Sequence, residues 1–317
     1  MESIYRRLSD SVSRLEEKLQ VQSGALVKKI GVKKMGRRLF CEISPFCYNI
    51  SLKKEICKRK VKDALSKEKF AEERSDKELD NIVKGHSSVL IRRLHGVDIR
   101  LQENKVTNIR LACGKINGIV VHPGETFSFW RTVGAVSEKL GYKEGLVIKK
   151  NSFSSGIGGG LCQMANMIHY LVLNSPLEVT ELHHHSDALF PDERRRVPFG
   201  TGTSILYNNV DYRFKNTTNQ DIQLLTWCED EEVLAEMRSE RPFPYRYKLV
   251  EENHHFRMED GVYYRISQVY RLVIDRETGE QVDKQLVLDN HSKVMYDYSL
   301  IPKDQIRNDE NEAAKTN

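Results

Sequence analysis

The stretch Gly156-Ile157-Gly158-Gly159-Gly160-Leu161-Cys162-Gln163 joins a glycine run to a cysteine and then to an apolar helix. Glycine adopts positive φ without strain and lets another segment approach its backbone closely, so the run predicts a tight turn. The apolar periodicity that follows predicts a helix of about three to four turns that stops before Asn174. Cys162 then lies in the first turn, where free N–H groups and the helix dipole favour the thiolate over the thiol. This makes Cys162 a candidate nucleophile.

A histidine-rich segment follows the helix. The stretch Leu177 to Leu182 predicts a strand, which leads into His183-His184-His185-Ser186. On an extended chain His183 and His185 share one face, while His184 faces the other way. With this strand beside the helix start, one of the pair would reach the thiol, which is how thiol hydrolases and acyl transferases build a Cys/His pair. His169 lies two turns from Cys162, about 10 Å along the helix, which is too far for it to act as the base.

The pattern of elements predicts an α+β fold in four regions. They are a basic helical region (1–88), a mixed α/β domain that contains the helix-start cysteine (89–240), a C-terminal extension of antiparallel strands (241–302) and a disordered tail (303–317). Within the first region, the spacing of apolar residues predicts an amphipathic helix over residues 3–20 and one or two more helices over residues 52–84.

Composition limits the function classes. Charged residues make up 30% of the chain and no apolar run is long enough to span a membrane, so we expect a cytoplasmic protein without an export signal. Residues 1–85 hold 21 Lys and Arg against 13 Asp and Glu. This basic region could contact an anionic membrane surface, but its interleaved acidic residues argue against nucleic acid. The six scattered cysteines fit reduced thiols better than a disulfide framework.

Five ordered blocks between about residues 100 and 240 resemble the VanW family. They are Pro123 to Trp130, Gly158 to Gln163, His185-Ser186, Val197 to Gly200, and Asp211 to Asn216. The resemblance implies a link to B-type vancomycin resistance and to the bacterial cell envelope, and it makes peptidoglycan peptides or their precursors the natural substrate class. One departure is informative, because Gly202 stands where the family pattern usually has an acidic residue. Among Asp187, Asp192 and Asp211, the last matches the family blocks best as an orienting carboxylate.

The sequence allows three hypotheses for the site. In the first, Cys162 is the nucleophile, His185 the general base and Asp211 the orienting acid, with Gly160, Gln163 or loop N–H groups as oxyanion donors. In the second, the protein binds an anionic cell-wall ligand without turnover. The ligand-binding candidates are Gly158, Gly159, Gly160, Gln163, Ser186 and Arg194.

In the third hypothesis the glycines only form a tight turn, and Cys162 is a small buried apolar residue. Zinc held by Cys162, His183 and His185 would have suitable donors but no signature spacing, so we expect neither a metal nor another cofactor.

Overall fold

The computed structural model describes residues 39–91, 98–149, 152–184, 187–188, 191, 197–198, 200–207 and 210–307. The helix predicted over residues 3–20 lies outside them. By contacts within the chain, Met1–Ser66 and Lys67–Asn317 form two units. No helix among the described residues combines the length and apolar character needed to cross a membrane.

In the first unit, the helix α1 spans Pro45–Leu65. Ser44 caps it by accepting a hydrogen bond from the Cys47 N–H at 3.2 Å, and Pro45 occupies the first turn, where no N–H is needed. The helices predicted over 52–84 therefore extend only to Leu65. This part of the prediction was wrong, because residues 81–89 form a strand in the second unit.

The second unit contains three further α-helices and a series of strands among its described residues. The helices are α2 (Ile99–Ile116), α3 (Phe129–Val133) and α4 (Cys162–Leu173). The strands are β1 (Asn81–Val89), β2 (Ile119–Val121), β3 (Thr126–Ser128), β4 (Glu144–Lys149), β5 (Ser152–Ile157), β6 (Glu178–Glu181), β7 (Asp187–Ala188), β8 (Arg213–Lys215), β9 (Ile222–Glu229), β10 (Glu232–Ser239), β11 (Tyr245–Glu259), β12 (Val262–Asp275) and β13 (Gln281–Val294). Helices beside antiparallel strands confirm the α+β prediction.

The main sheet has the order β1-β10-β9-β2 and is antiparallel throughout. Its strand β10 alternates buried and less buried positions, with Val233, Ala235 and Met237 in the core. Helix α2 packs against β9 and β4, and α4 packs against β1 and β10. Nearly every residue of α4 from Met164 onward is buried, so this helix belongs to the core and its first turn is held in a fixed place.

Three further sheets complete the described part of this unit. The strands β3-β8-β6 form one, β4 and β5 pair as a hairpin, and β11-β12-β13-β7 form the C-terminal sheet. The Ser-rich residues before the glycine run form the strand β5. Residues 303–307 are also ordered, contrary to the predicted tail, because Ile306 packs against a small core around Phe256. Residues 308–317 lie outside the described chain.

His122 fixes the turn after β2 between two carboxylates. Its Nδ1 lies 2.8 Å from Asp221 Oδ1 and its Nε2 lies 3.1 Å from Glu73 Oε2. The hydrogen bond to Asp221, with help from Glu73, raises the pKa of His122. The imidazolium form is thus favoured in the folded state.

We expect the ion pairs of His122 to make folding stability depend on pH. Because the folded pKa exceeds the unfolded value of about 6.5, this stabilisation is fully present below about pH 6.5 and is lost as the pH rises through the folded pKa. Urea unfolding midpoints of wild type and His122→Asn, measured from pH 5.5 to 8.5, should converge at high pH. An equal gap between the two proteins at every pH would contradict this assignment.

Candidate functional site

The glycine run forms the turn that leads into α4. Gly158 and Gly160 have φ of +77° and +94°, values that favour glycine. Gly159 lies against the backbone of Gly145 on β4, so closely that a Cβ on Gly159 would fall 2.2 Å from the Gly145 carbonyl carbon. The three glycines predicted to bind a ligand thus have a structural reason to be glycine, namely turn geometry and close approach.

A lysine from α2 lies over the start of α4. The stem of Lys105 packs on Gly160, where a Cβ would fall 2.0 Å from the lysine Cγ, and only 6% of Lys105 is exposed. The buried stem of a lysine is therefore adjacent to the turn that precedes Cys162. Sequence reasoning missed Lys105, because its place among the charges of an amphipathic helix gave no signal of burial.

Cys162 is the first residue of α4, as the sequence predicted. Its thiol points to the carbonyl of Ile205, with Sγ 3.8 Å from the oxygen. Burial raises the pKa of the Cys162 thiol, although backbone hydrogen bonds of Ile205 and of Cys162 itself act in the opposite direction. The predicted lowering of this pKa is thus absent, because the cost of burying a thiolate exceeds the effect of the helix start.

The segment 201–205 connects the first turns of α4 to the histidine segment. The Thr203 N–H donates to Asn166 Oδ1 at 2.6 Å, and Asn166 follows Cys162 by one helical turn. On its other side, the Ser204 N–H donates to the His183 carbonyl at 2.6 Å. The cysteine and the start of the histidine segment therefore flank one short stretch of chain.

The described histidines of the segment have different partners. His183 Nε2 lies 3.0 Å from Glu181 Oε1, and His184 Nδ1 lies 3.2 Å from the Gly200 carbonyl oxygen. His185, Ser186 and Arg194 lie outside the described residues. Their predicted roles as general base and ligand-binding residues stay predictions.

His169 is fully buried in α4. Its Nδ1 lies 3.1 Å from the Tyr212 hydroxyl oxygen, and the two rings meet edge to face. Burial, together with the charge of His184, lowers the pKa of His169 to about 3. The ring is therefore neutral at physiological pH.

Asp211 anchors a buried polar cluster. One carboxylate oxygen accepts from Ser128 Oγ at 2.5 Å and from Arg213 Nε at 2.8 Å. The other accepts from the backbone N–H groups of Trp130 at 3.1 Å and Tyr212 at 2.9 Å. These four donors hold β3, the start of α3 and β8 together, so Asp211 has a structural role whatever its relation to His185.

The Gln163 side chain links α4 to β1. Its amide nitrogen donates to Ser88 Oγ and to the Val89 carbonyl, both at 2.9 Å. Both amide hydrogens are thereby used within the fold. Among the described residues no group of three His, Cys, Asp or Glu side chains is arranged to hold a metal ion.

Fold and site together define an α+β protein with a cysteine at the start of a buried helix, after a glycine turn. A family model described as VanW like protein matches residues 104–238. The chain is 31% identical over 201 residues to the vancomycin B-type resistance protein VanW of Enterococcus faecalis, a match that covers 63% of this chain and 73% of that protein. The chain belongs to the VanW family.

A second relative covers less of the chain. The uncharacterized protein YoaR of Bacillus subtilis is 34% identical over 115 residues, which is 36% of each protein. No solved structure matches the chain. The VanW family is thus linked to vancomycin resistance.

Proposed function

We propose that this chain is a thiol-dependent hydrolase or acyl transferase that acts on peptidoglycan peptides or their precursors. Cys162 is the nucleophile. The observation that supports this most directly is the position of Cys162 at the start of a rigid, buried helix, beside a segment that also contacts His183. Membership of a family with a named vancomycin-resistance protein supports the substrate class.

Because the pKa of Cys162 is raised, the proposed mechanism requires a general base. A buried thiol of this kind is protonated at neutral pH, so a base must accept its proton before the sulfur can attack. We assign that role to His185, which on an extended chain shares a face with His183. The thiolate then attacks a peptide carbonyl, and the amine leaves with the proton. Water resolves the acyl-enzyme in a hydrolase, or a second amine does so in a transferase.

A second candidate function is binding without turnover. Lys105 supports it, because its buried stem packs on the glycine turn before the N-terminus of α4, where a nearby lysine would favour a carboxylate. Ser186 and Arg194 would add contacts to the same anionic cell-wall ligand. This function predicts affinity that depends on Lys105 and persists in the absence of the thiol.

One experiment separates the two functions. Purified wild type is incubated with muropeptides and with lipid-linked precursors, and the products are read by mass spectrometry. We expect new products with wild type, none with Cys162→Ala, and strongly reduced turnover with His185→Ala. Cys57→Ala, an exposed cysteine on α1, serves as the matched control and should retain full turnover.

Equal turnover in Cys162→Ala and wild type would exclude the thiol mechanism. Tight binding without products, abolished by Lys105→Met and retained in Cys162→Ala, would instead establish the binding module.

A further inference from the structure

Two cysteines far apart in sequence meet at the contact between α2 and β9. Cys113 lies in the last turn of α2 and Cys228 lies on β9, and their sulfur atoms are 3.8 Å apart across a separation of 115 residues. Cys113 is buried at 4% exposure, whereas Cys228 is partly accessible. The pair is thus close together and reachable from one side.

The backbone around the two sulfurs is held in place on both elements. Thr226 Oγ1 donates to the Cys113 carbonyl at 3.2 Å, and the Thr226 N–H donates to Asn117 Oδ1 at 2.9 Å. These bonds join the end of α2 to β9 two residues before Cys228. A disulfide requires the sulfurs to approach to about 2.0 Å, so side-chain rotation and a small shift supply the remaining distance.

The two thiols differ in acidity. The hydrogen bond from Cys113, together with the charge of nearby Arg110, lowers the pKa of Cys228 to about 7. The same hydrogen bond and burial raise the pKa of Cys113. At neutral pH, Cys228 is therefore the sulfur that attacks an oxidant, and Cys113 keeps its proton until the second step.

We propose that Cys113 and Cys228 form a reversible disulfide when the chain meets a peroxide. The Cys228 thiolate attacks one oxygen of hydrogen peroxide, which breaks the O–O bond, gives a sulfenic acid and releases hydroxide that is protonated to water. The Cys113 sulfur then attacks Cys228 Sγ, forms the S–S bond and releases a second water, which takes the thiol proton. Two thiols are oxidised to one disulfide as one peroxide is reduced to two waters. The site is separate from Cys162.

The test uses the purified full chain treated with hydrogen peroxide at pH 7 and then alkylated. Peptide mapping by mass spectrometry should find a Cys113–Cys228 crosslinked peptide that is 2 Da lighter than the two thiol peptides together and disappears on treatment with dithiothreitol. The Cys162→Ala variant should give the same peptide. Thermal unfolding of the oxidised chain should move up by roughly 5 °C or more, since the bridge closes a long loop.

A second variant tests the role of charge. Arg110→Ala should slow disulfide formation by roughly twofold, because the thiolate fraction of Cys228 falls by more than its intrinsic nucleophilicity rises. Cys228→Ser should abolish the crosslink. Two results of mapping the wild type would overturn the proposal. In the first, Cys113 and Cys228 are both still thiols although the exposed or half-buried cysteines of the first unit (Cys41, Cys47 or Cys57) have been oxidised. In the second, Cys113 is paired with a cysteine other than Cys228. This mapping requires no variant to fold.

Discussion

Replacing Asp211 with alanine should destabilise the protein by about 3–5 kcal/mol, because it removes one partner of a buried ion pair. Asp211 is 1% exposed and Arg213 has a side-chain exposure of 12%, so the guanidinium would lose a near partner in a place with little water. Ser128 Oγ and two backbone N–H groups would lose their acceptor at the same time. Urea unfolding followed by tryptophan fluorescence measures this change.

Two variants make the Asp211 experiment specific. Asp211→Asn keeps the shape but not the charge and should lie between alanine and wild type. Asp304→Ala, at an exposed position, should leave the unfolding midpoint within about 0.5 kcal/mol of wild type. If Asp211→Ala unfolds like wild type yet loses peptidoglycan turnover, the carboxylate acts in catalysis, as the sequence suggested, and its structural role is refuted.

Gly159→Ala should cost about 3 kcal/mol or more, the upper range for overpacking. The added methyl group would fall 2.2 Å from the Gly145 carbonyl carbon and 2.3 Å from its oxygen, and both are backbone atoms of a paired strand. A flexible side chain could move aside, whereas a hydrogen-bonded strand cannot do so without breaking its pairing. The thermal midpoint should fall, and the start of α4 should become sensitive to protease.

Gly114→Ala provides a matched control of opposite sign. Gly114 lies exposed in α2, and nothing lies within 4 Å of a Cβ added there. Alanine is the better helix former, so this change should stabilise the protein by about 0.5–1 kcal/mol. A loss of stability in Gly114→Ala, or unchanged stability in Gly159→Ala, would contradict the packing described for the two positions.

The sequence predicted elements whose signal is local. The helix α4 follows from apolar periodicity after a glycine turn, and the strands β11, β12 and β13 lie within the predicted C-terminal extension of antiparallel strands. The strand β1 was missed, because its Lys84, Gly85 and His86 have little strand preference and are held by pairing with β10. The Ser-rich strand β5 was missed for the same reason, as its pairing with β4 decides its conformation.

The position of Cys162 at a helix start was predicted, but the environment of its thiol was not. The helix start of Cys162 can be read from sequence, whereas the burial that raises its pKa comes from the distant segment ending at Ile205. Likewise, the partners of Gln163 lie about 75 residues away on β1, which no local pattern reveals. Contacts between distant segments set the acidity and availability of these groups, and a single sequence does not encode those contacts in any local pattern.

The neutral state of His169 simplifies the interpretation of future kinetic data. With a pKa of about 3, this imidazole takes up no proton between pH 5 and 8. Any inflection in a rate profile over that interval therefore belongs to other groups. In an NMR titration the ring signals of His169 should remain stationary while exposed histidines shift, which provides an internal reference for assigning the rest.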